Sequence, residues 1–325
     1  MKSFVSYQEW KKKELSIVHK FKPAYIETYI EPFAGGAAVY RNIPAKSYVI
    51  NDISGDWAFF HLCIRDQDEK FLRTLYELDW LWKIVETDRE LESSIIDFKH
   101  FGEYRKEAYS SLPNAIVKEG EVYRLTKKRS VTARKTALYN CIRDKYNECS
   151  LKQSASVAFF YFLREYCNPV RFHFNRDGIF TAPYGGIEWN YRYIAKQIDD
   201  MQSAENVRRY QNTMVYNCEV EGCLDNYKLS KNDFIFLDPP YKGDFCTCES
   251  GTFKEKDFIR LADRLRETDA KWVLVADKDE FMYDIYRDFY IYEYDKICSL
   301  EHREGRERLK RRLLISDYPI IGTNE

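Results

Sequence analysis

The tetrapeptide Asp238-Pro239-Pro240-Tyr241 combines a carboxylate, a rigid backbone and an aromatic ring. Proline fixes its own φ and disfavours helix for the residue before it, so Asp238 is held in a stiff, extended turn. The Asp238 carboxylate and the Pro239 carbonyl can both accept hydrogen bonds from one planar amino group, while Tyr241 offers a face to a flat ring. Two such acceptors favour the pyramidal form of an amine, in which the nitrogen lone pair is free to attack.

The residues before this tetrapeptide distinguish two interpretations of it, a catalytic loop and a surface turn. A surface turn is the alternative, since Asp and Pro are both common turn residues. However, the apolar run Phe234–Leu237 comes directly before Asp238 and predicts a buried strand. Ligands in open α/β sheets bind outside the carboxyl ends of strands, so this position favours a catalytic loop.

A second element lies near the amino terminus, where an apolar run over residues 24–30 leads into a turn of small residues. Two adjacent glycines in this turn let the backbone approach a ligand closely, and a helix is predicted to start at Ala37. The turn lacks the G-x-G-x-x-G pattern, which argues against a nicotinamide cofactor. The residues of this turn are Glu31, Pro32, Phe33, Ala34, Gly35 and Gly36.

An acidic residue ends the next predicted strand, Tyr48–Asp52. Asp52 follows the glycine turn by about 20 residues, a spacing typical of a carboxylate that binds a ribose diol. The alternative is a helix cap for the segment that starts near Ser54, a role that Asn51 and Asp52 both suit.

The order of these elements resembles that of the Dam-type adenine-N6 DNA methyltransferases, in which the cofactor motif comes first, target recognition next and the catalytic motif last. The resemblance implies S-adenosylmethionine as cofactor, duplex DNA as partner and adenine N6 as methyl acceptor, with base flipping. The catalytic residues that it implies are Asp238, Pro239, Pro240 and Tyr241. The cofactor-binding residues that it implies are Trp10, Lys13, Glu31, Pro32, Phe33, Ala34, Gly35, Gly36, Asp52, Glu219, Val220 and Asp238.

Some segments match the family less closely. Residues 159–163, 168–172 and 175–185 are similar to its DNA-contacting hairpin and the segment after it, although Pro169 replaces a usual glycine. Glu219 and Val220 stand where the family has an acid-aromatic pair around the cofactor adenine. The stretch 7–15 lacks the glycines of the family's amino-terminal motif. These departures leave the recognised DNA sequence open.

Basic residues gather in residues 124–145, although the net charge of the chain is −1. A basic face can bind phosphates whatever the net charge of the whole chain. The alternative is that these residues form a solvated helix face. For a second cluster, Arg303–Arg312, the interleaved Glu304 and Glu307 favour the solvated helix face. The predicted DNA-binding residues are Lys127, Lys128, Arg129, Arg134, Lys135, Asn168, Arg171 and Asn175.

The predicted fold is α/β: a Rossmann-like methyltransferase sheet with an inserted, mainly helical target-recognition lobe. Strands alternate with helices outside the lobe, which indicates a mostly parallel sheet. We expect a catalytic domain formed by residues 1–65 and 179–325, and a recognition domain formed by residues 66–178. The aromatic stripe of that lobe is predicted to be core.

Bulk properties indicate an enzyme of the cytoplasm, in a prokaryotic cell or a phage-infected host. No apolar run is long enough to cross a membrane, and the amino terminus lacks the apolar core of a signal peptide. The nine cysteines have no metal-binding spacing, so no metal is expected. A cognate restriction endonuclease is a candidate partner.

The chemistry of the loop leaves other functions open. An RNA-adenine methyltransferase, a protein-glutamine methyltransferase and a non-catalytic DNA-binding relative are the alternatives, because a fold and a tetrapeptide do not fix the substrate. Aspartate at the first position of the tetrapeptide favours adenine, by family resemblance.

Overall fold

The computed structural model describes eight segments of the chain: residues 4–5, 11–87, 89–112, 122–149, 153–168, 174–240, 253–298 and 308–319. Its side chains are not described at 11–14, 122–127, 296–298 and 308–310. The chain divides into two compact units, one formed by Met1–Arg65 with Glu205–Glu325 and the other by Asp66–Ala204.

The second boundary between the units lies at residue 204, later than the predicted 178. Residues 179–204 belong to the helical unit because they hydrogen-bond to it. The Tyr166 hydroxyl donates to the Arg192 carbonyl at 2.9 Å, and the Ile194 amide donates to the Asp79 carboxylate at 2.8 Å.

The first unit contains a seven-stranded sheet with the order β3-β2-β1-β4-β5-β7-β6. The first five strands in chain order pair in parallel, whereas β7 runs antiparallel between β5 and β6. The strands are β1 Thr28–Glu31, β2 Ser47–Asn51, β3 Thr213–Tyr216, β4 Phe234–Leu237, β5 Lys271–Asp277, β6 Tyr290–Cys298 and β7 Arg308–Ser316.

The central strands are short and buried because both of their faces are covered, and β4 is apolar throughout. All four residues of β1 and of β4 are buried. The helices of this unit are α1 Lys11–Phe21, α2 Gly55–Arg65, α8 Ala204–Gln211, α9 Val220–Asp225, α10 Glu255–Arg266 and α11 Glu280–Ile285. On α10, Phe258, Leu261 and Leu265 follow the helical period and pack in one buried cluster with Ile235 and Trp272.

The predicted α/β class is confirmed, and the predicted strands at 48–52, 213–218, 234–237 and 272–276 are observed within two residues at each end. The helix predicted from Ala37 is wrong. The chain instead turns into a short 3-10 segment, Tyr40–Asn42, because Ala37 adopts φ 50° and Pro44 follows closely. The helical interpretation of Arg303–Arg312 is also wrong for residues 308–312, which form part of β7.

The second unit is built from helices. They are α3 Glu69–Ile84, α4 Phe101–Ser111, α5 Val122–Asn147, α6 Ser154–Tyr166 and α7 Ala195–Met201. Asp68 caps α3 by accepting from the Phe71 amide at 2.7 Å. None of the helices in the described segments is long and apolar enough to span a membrane.

The aromatic stripe of this unit is core, as predicted. Trp82 on α3 is fully buried, and its ring centroid lies 4.4 Å from that of Tyr166, 5.4 Å from that of Phe162 and 5.4 Å from that of Tyr184. These rings join α3, α6 and the segment after α6 around one side chain.

Replacing Trp82 with alanine should therefore destabilise the protein by about 3–5 kcal/mol, because a large cavity opens among rings that cannot collapse into it. Trp80 lies on the same helix with 50 % of its surface exposed, so Trp80→Ala is the matched control and should cost less than about 0.5 kcal/mol. Urea unfolding followed by circular dichroism measures both. Equal losses for the two variants would contradict this account of the core.

Candidate active site

The two predicted functional loops leave neighbouring strands of the sheet. Strand β1 pairs in parallel with β4, with Ile30 opposite Ile235, so both strands end at the same edge. From β1 the chain continues to β2, on one side of this pair. From β4 it continues to β5, on the opposite side. The edge between β1 and β4 is therefore the topological switch point, where open α/β sheets bind ligands.

The catalytic tetrapeptide begins at this edge, directly after β4. The side chain of Asp238 is 7 % exposed, and Pro239 is buried. Tyr241 lies outside the described residues. The structure thus puts a nearly buried carboxylate at the carboxyl end of β4, where a charged group requires compensation.

The glycine turn after β1 is fixed by contacts to β2. The Ala34 amide donates to the Asn51 carbonyl at 2.9 Å, and the Gly35 amide donates to Asp52 Oδ2 at 2.7 Å. Gly35 has φ 48°, and a Cβ atom at this residue would meet no heavy atom within 4 Å. The turn therefore presents bare backbone to open space, as a ligand-binding turn requires.

Glu31 lies beneath the turn, where it is 1 % exposed. Its Oε2 accepts from the Tyr29 hydroxyl at 2.8 Å and from the Tyr40 amide at 2.7 Å. The carboxylate thus joins β1 to the far end of the turn. These contacts give Glu31 a role in shaping the turn, and its predicted cofactor contact stays a prediction.

Asp52 bridges the glycine turn and α2. While Oδ2 accepts from Gly35, Oδ1 accepts from the Ser54 amide at 2.8 Å, next to the first turn of the helix. The bond to Ser54 is an Asx turn that ends just before α2, so the cap interpretation also stays a prediction. The carboxylate is half-buried, and the ribose interpretation stays a prediction.

Asn51 holds a third loop to this edge, a role that the sequence did not single out. Its Nδ2 donates to the carbonyls of Pro32 and Cys218, both at 3.0 Å, and its Oδ1 accepts from the Cys218 amide at 3.0 Å. Pro32 follows β1 and Cys218 follows β3. One buried amide therefore connects the loops after β1, β2 and β3, and the strand-end position of Asn51 was the available signal.

His61 supports the glycine turn from below and was also missed. It is fully buried in α2, with Nε2 2.7 Å from the Gly35 carbonyl and Nδ1 2.8 Å from the Tyr210 hydroxyl. Burial lowers the pKa of His61 to about 4, so the ring is neutral near pH 7. Since the Gly35 carbonyl only accepts, Nε2 donates to it and Nδ1 accepts from Tyr210.

The remaining predicted cofactor residues are placed as follows. Glu219 is exposed at the start of α9, whereas Val220 is buried in the core cluster and packs there. Phe33 contacts Phe253, with ring centroids 5.5 Å apart. Trp10 lies outside the described residues, and the side chain of Lys13 is not described.

Arg312 and Asp277 lie near Asp238, the predicted catalytic aspartate, at this edge. Nη2 of Arg312 lies 3.9 Å from Asp238 Oδ1, and its Nη1 lies 3.1 Å from Asp277 Oδ1. The Arg312 side chain is only 2 % exposed. The interleaved glutamates predict a solvated cluster that includes Arg312, although the apolar run after it is a signal for a buried strand.

In the helical unit, the predicted DNA-binding residues have different environments. Lys128 is exposed, whereas the Arg129 guanidinium donates to the Leu112 carbonyl at 3.0 Å and so joins α5 to the end of α4. Lys127 has no described side chain, and Arg171 lies outside the described residues.

Lys135 is positioned differently from what the sequence predicts. Its side chain is 0 % exposed, and Nζ lies 2.6 Å from Glu86 Oε1 and 4.6 Å from the centroid of Trp82. Burial lowers its pKa to about 8. The prediction of a phosphate contact is wrong for Lys135 in this structure, because its amine is fully engaged within the core.

Arg134 is also largely buried, with 7 % of its surface exposed, and its guanidinium donates to the Thr87 carbonyl. It lines a cavity of about 80 Å³ together with Arg89 and Arg105. The predicted DNA contact of Arg134 stays a prediction.

The described part of the predicted recognition hairpin contains two isolated β-bridges. Antiparallel bridges join Cys167 to Tyr184 and Phe174 to Phe180. Asn175 is exposed at the turn, where its Oδ1 accepts from the amides of Asp177 and Ile179 at 3.0 and 2.9 Å. The backbone amide of Asn168 donates to the Pro183 carbonyl at 2.8 Å. These contacts shape the hairpin and leave its contact with bases a prediction.

The strand order, with an antiparallel β7 inserted beside β5, and the site at the switch point define a methyltransferase of the Rossmann-like class. The family model of the D12 class N6 adenine-specific DNA methyltransferases matches residues 11–300, and the chain belongs to this family. It is a site-specific DNA methyltransferase that acts on adenine N6, as the resemblance implied.

Characterised relatives are distant in sequence but similar in length. The chain is 23 % identical to the type II methyltransferase M.CviBI of Paramecium bursaria Chlorella virus NC1A, over 94 % of both chains. It is 23 % identical to the type II methyltransferase M.MjaIII of Methanocaldococcus jannaschii, over 85 % of this chain and 82 % of the relative. It is 22 % identical to the type II methyltransferase M1.LlaDCHI of Lactococcus lactis subsp. cremoris, over 98 % and 96 %.

The buried His61 should make stability depend on pH. The pKa of His61 is about 4 in the folded protein, against an ordinary value of 6.5, so its stabilising contribution is complete above pH 6.5 and is lost as the pH falls towards 4. From pH 7 to pH 5 the loss should be about 2 kcal/mol. Urea unfolding at the two pH values should show this loss in the wild type and not in His61→Gln.

His19 is exposed on α1, and His19→Gln is the matched control, which should keep the full pH dependence. Other titrating groups contribute equally to all three proteins, so the difference between variants isolates His61. An unchanged pH dependence in His61→Gln would contradict a neutral, buried imidazole.

Proposed function

We propose that the chain transfers a methyl group from S-adenosylmethionine to the N6 amine of an adenine that is flipped out of duplex DNA, with Asp238 and Pro239 as acceptors for the amine. The observation that carries this proposal is the position of two loops at one switch point: the glycine turn follows β1, and Asp238 follows β4. These loops end on adjacent parallel strands, so a cofactor on one would lie beside an amine on the other.

The residues after β1 fit the proposed cofactor. Gly35 faces open space with φ 48°, so a ligand can approach its backbone. The half-buried Asp52 follows β2 and supplies a carboxylate for the ribose hydroxyls, and the exposed Glu219 follows β3 and lies beside the cofactor adenine in this proposal. In the proposal Pro32, Phe33, Ala34 and Gly36 form the rest of the cradle, and Trp10 and Lys13 contribute from the amino terminus.

When bound, S-adenosylmethionine supplies an activated methyl group. Asp238 and the Pro239 carbonyl accept hydrogen bonds from the adenine amine, which holds its lone pair in line for attack. Pro240 stiffens the loop, and Tyr241 stacks on the flipped base. The Asp238 carboxylate also stabilises the positive charge that develops on the nitrogen. It need not act as a strong base, because a cationic amine loses its proton readily.

The helical unit supplies the DNA-binding surface in this proposal. Lys128 contacts phosphates, and the hairpin with Asn168, Arg171 and Asn175 contacts bases. Base flipping is required because the amine cannot be reached within the stacked duplex. The names of the relatives support a role in type II restriction-modification, with a cognate endonuclease as partner.

Asp238→Ala should lower the rate of methyl transfer to DNA about 100- to 1,000-fold, since one preorganised acceptor of the transition state is lost. Transfer of tritium from labelled S-adenosylmethionine to duplex DNA, RNA and protein, measured side by side, gives the rate and the substrate class. Asp263 lies exposed on α10, and Asp263→Ala should keep full activity.

A folded Asp238→Ala variant with near wild-type rates would refute the role of Asp238. Equilibrium binding of S-adenosylmethionine by calorimetry should be retained in this variant. Absence of binding to the wild type would instead indicate an inert DNA-binding relative and would refute the cofactor assignment.

Lys128→Gln should weaken binding to duplex DNA uniformly across sequences, because a phosphate contact carries no base information. The slope of log K against log salt should fall by about 0.9, the value for one phosphate contact. Lys70 is exposed on α3 outside the basic segment, so Lys70→Gln is the control and should leave the slope unchanged. Fluorescence anisotropy at several salt concentrations measures both, and equal slopes for Lys128→Gln and wild type would exclude the contact.

A further inference from the structure

Arg312 is a buried cation at the catalytic edge of the sheet. Its side chain is 2 % exposed, and it lies on β7 directly opposite Asp277 of β5. A guanidinium stays charged at any pH that a protein encounters, so burial of this group requires nearby negative charge. That charge is supplied by Asp277 at 3.1 Å and Asp238 at 3.9 Å.

The reach of Arg312 follows from the sheet order. Strand β7 is separated from β4 by β5, and two strand spacings amount to about 9.6 Å. A long side chain is therefore needed to bring charge from β7 to the catalytic loop. The planar guanidinium can also engage two carboxylates with different nitrogens, which an ammonium group does less well.

We propose that Arg312 is a positioning residue for methyl transfer, which holds the Asp238 carboxylate ionised and oriented through a guanidinium shared with Asp277. The inference rests on the proposed role of Asp238 as acceptor for the adenine amine. An ionised carboxylate only accepts hydrogen bonds, whereas a protonated one becomes a donor through one of its oxygens. Oδ1 of Asp238 lies on the side of β7, 3.9 Å from Nη2 of Arg312, within the range of an ion pair.

The surroundings of Asp238 explain why a cation is needed there. Asp277 contributes a second carboxylate from β5. From β1, Tyr29 interacts electrostatically with Asp238, and its hydroxyl donates to Glu31 at 2.8 Å. Without Arg312 these acids would repel one another in a poorly solvated site, and one of them would take up a proton.

Arg312→Gln tests the inference because it removes the charge but keeps a polar side chain. We expect kcat for DNA methylation to fall about 10- to 100-fold, with KM for DNA and for S-adenosylmethionine changed less than about threefold. The acid limb of the kcat profile should move to higher pH. Arg312→Lys should restore part of kcat and of the profile, because it keeps the charge without the planar geometry.

A double variant separates charge compensation from packing. In Arg312→Gln with Asp277→Asn, one carboxylate is removed together with the guanidinium, so the acid limb should return towards that of the wild type. Arg311 is the matched control: it neighbours Arg312 on β7 with its side chain 67 % exposed, and Arg311→Gln should leave kcat and its pH profile unchanged.

Unfolding experiments on each variant distinguish a structural role. If Arg312→Gln has a wild-type kcat and pH profile, or if all variants lose stability with no change in the profile, the inference is wrong. If Asp238→Ala itself retains activity, the proposed function fails first. A loss of activity in Asp238→Ala combined with a wild-type profile in Arg312→Gln would refute the positioning role alone.

Discussion

The parallel pairing of β1 with β4 is the constraint on which the rest of the site depends. It brings the ends of two strands that are about 200 residues apart in sequence to one edge, through the register of Tyr29 with Phe234 and Ile30 with Ile235. The chain continues from β1 to β2 and from β4 to β5, on opposite sides of this pair, which makes the edge between β1 and β4 the topological switch point. Both strands are wholly buried, and their burial fixes the edge with little freedom.

Side-chain contacts then hold each loop to that edge. Asn51 joins the loops after β1, β2 and β3 through three hydrogen bonds, while Asp52 joins the glycine turn to α2. His61 supports the same turn from α2. Buried polar groups of this kind are costly unless each is satisfied, so they allow one arrangement of the loops and disfavour others. The site is therefore preorganised by groups that need not touch a substrate.

The sequence predicted the strands and the two loops well because these depend on local patterns. The run Phe234–Leu237 is apolar throughout and ends at Asp-Pro, so both its type and its end can be read directly. The helix expected from Ala37 failed because the backbone of Ala37 is set by contacts of the turn to β2, which lie far away in sequence. Local propensity is a weak prior where tertiary contacts decide.

Charged residues were the hardest to place, since composition does not tell which way a side chain faces. Lys135 and Lys128 belong to the same basic segment, yet one is buried against Glu86 and the other is exposed. Arg311 and Arg312 are adjacent, and the period of a strand sends them to opposite faces. A prediction of β7 as a strand would have assigned Arg311 and Arg312 to opposite faces. The different exposure of Lys135 and Lys128 depends instead on how α5 packs.

The charge at the catalytic edge follows from the same sheet order. In the proposed mechanism Asp238 stays ionised in a poorly solvated site, which favours a neighbouring cation that holds its proton firmly, as arginine does. In this fold β7 is the strand inserted next to β5, so a residue opposite the end of β5 is well placed to supply that charge. The antiparallel hairpin that completes the sheet would then serve the chemistry as well as the core, and Asp277 would balance the charge of Arg312 before a substrate amine arrives.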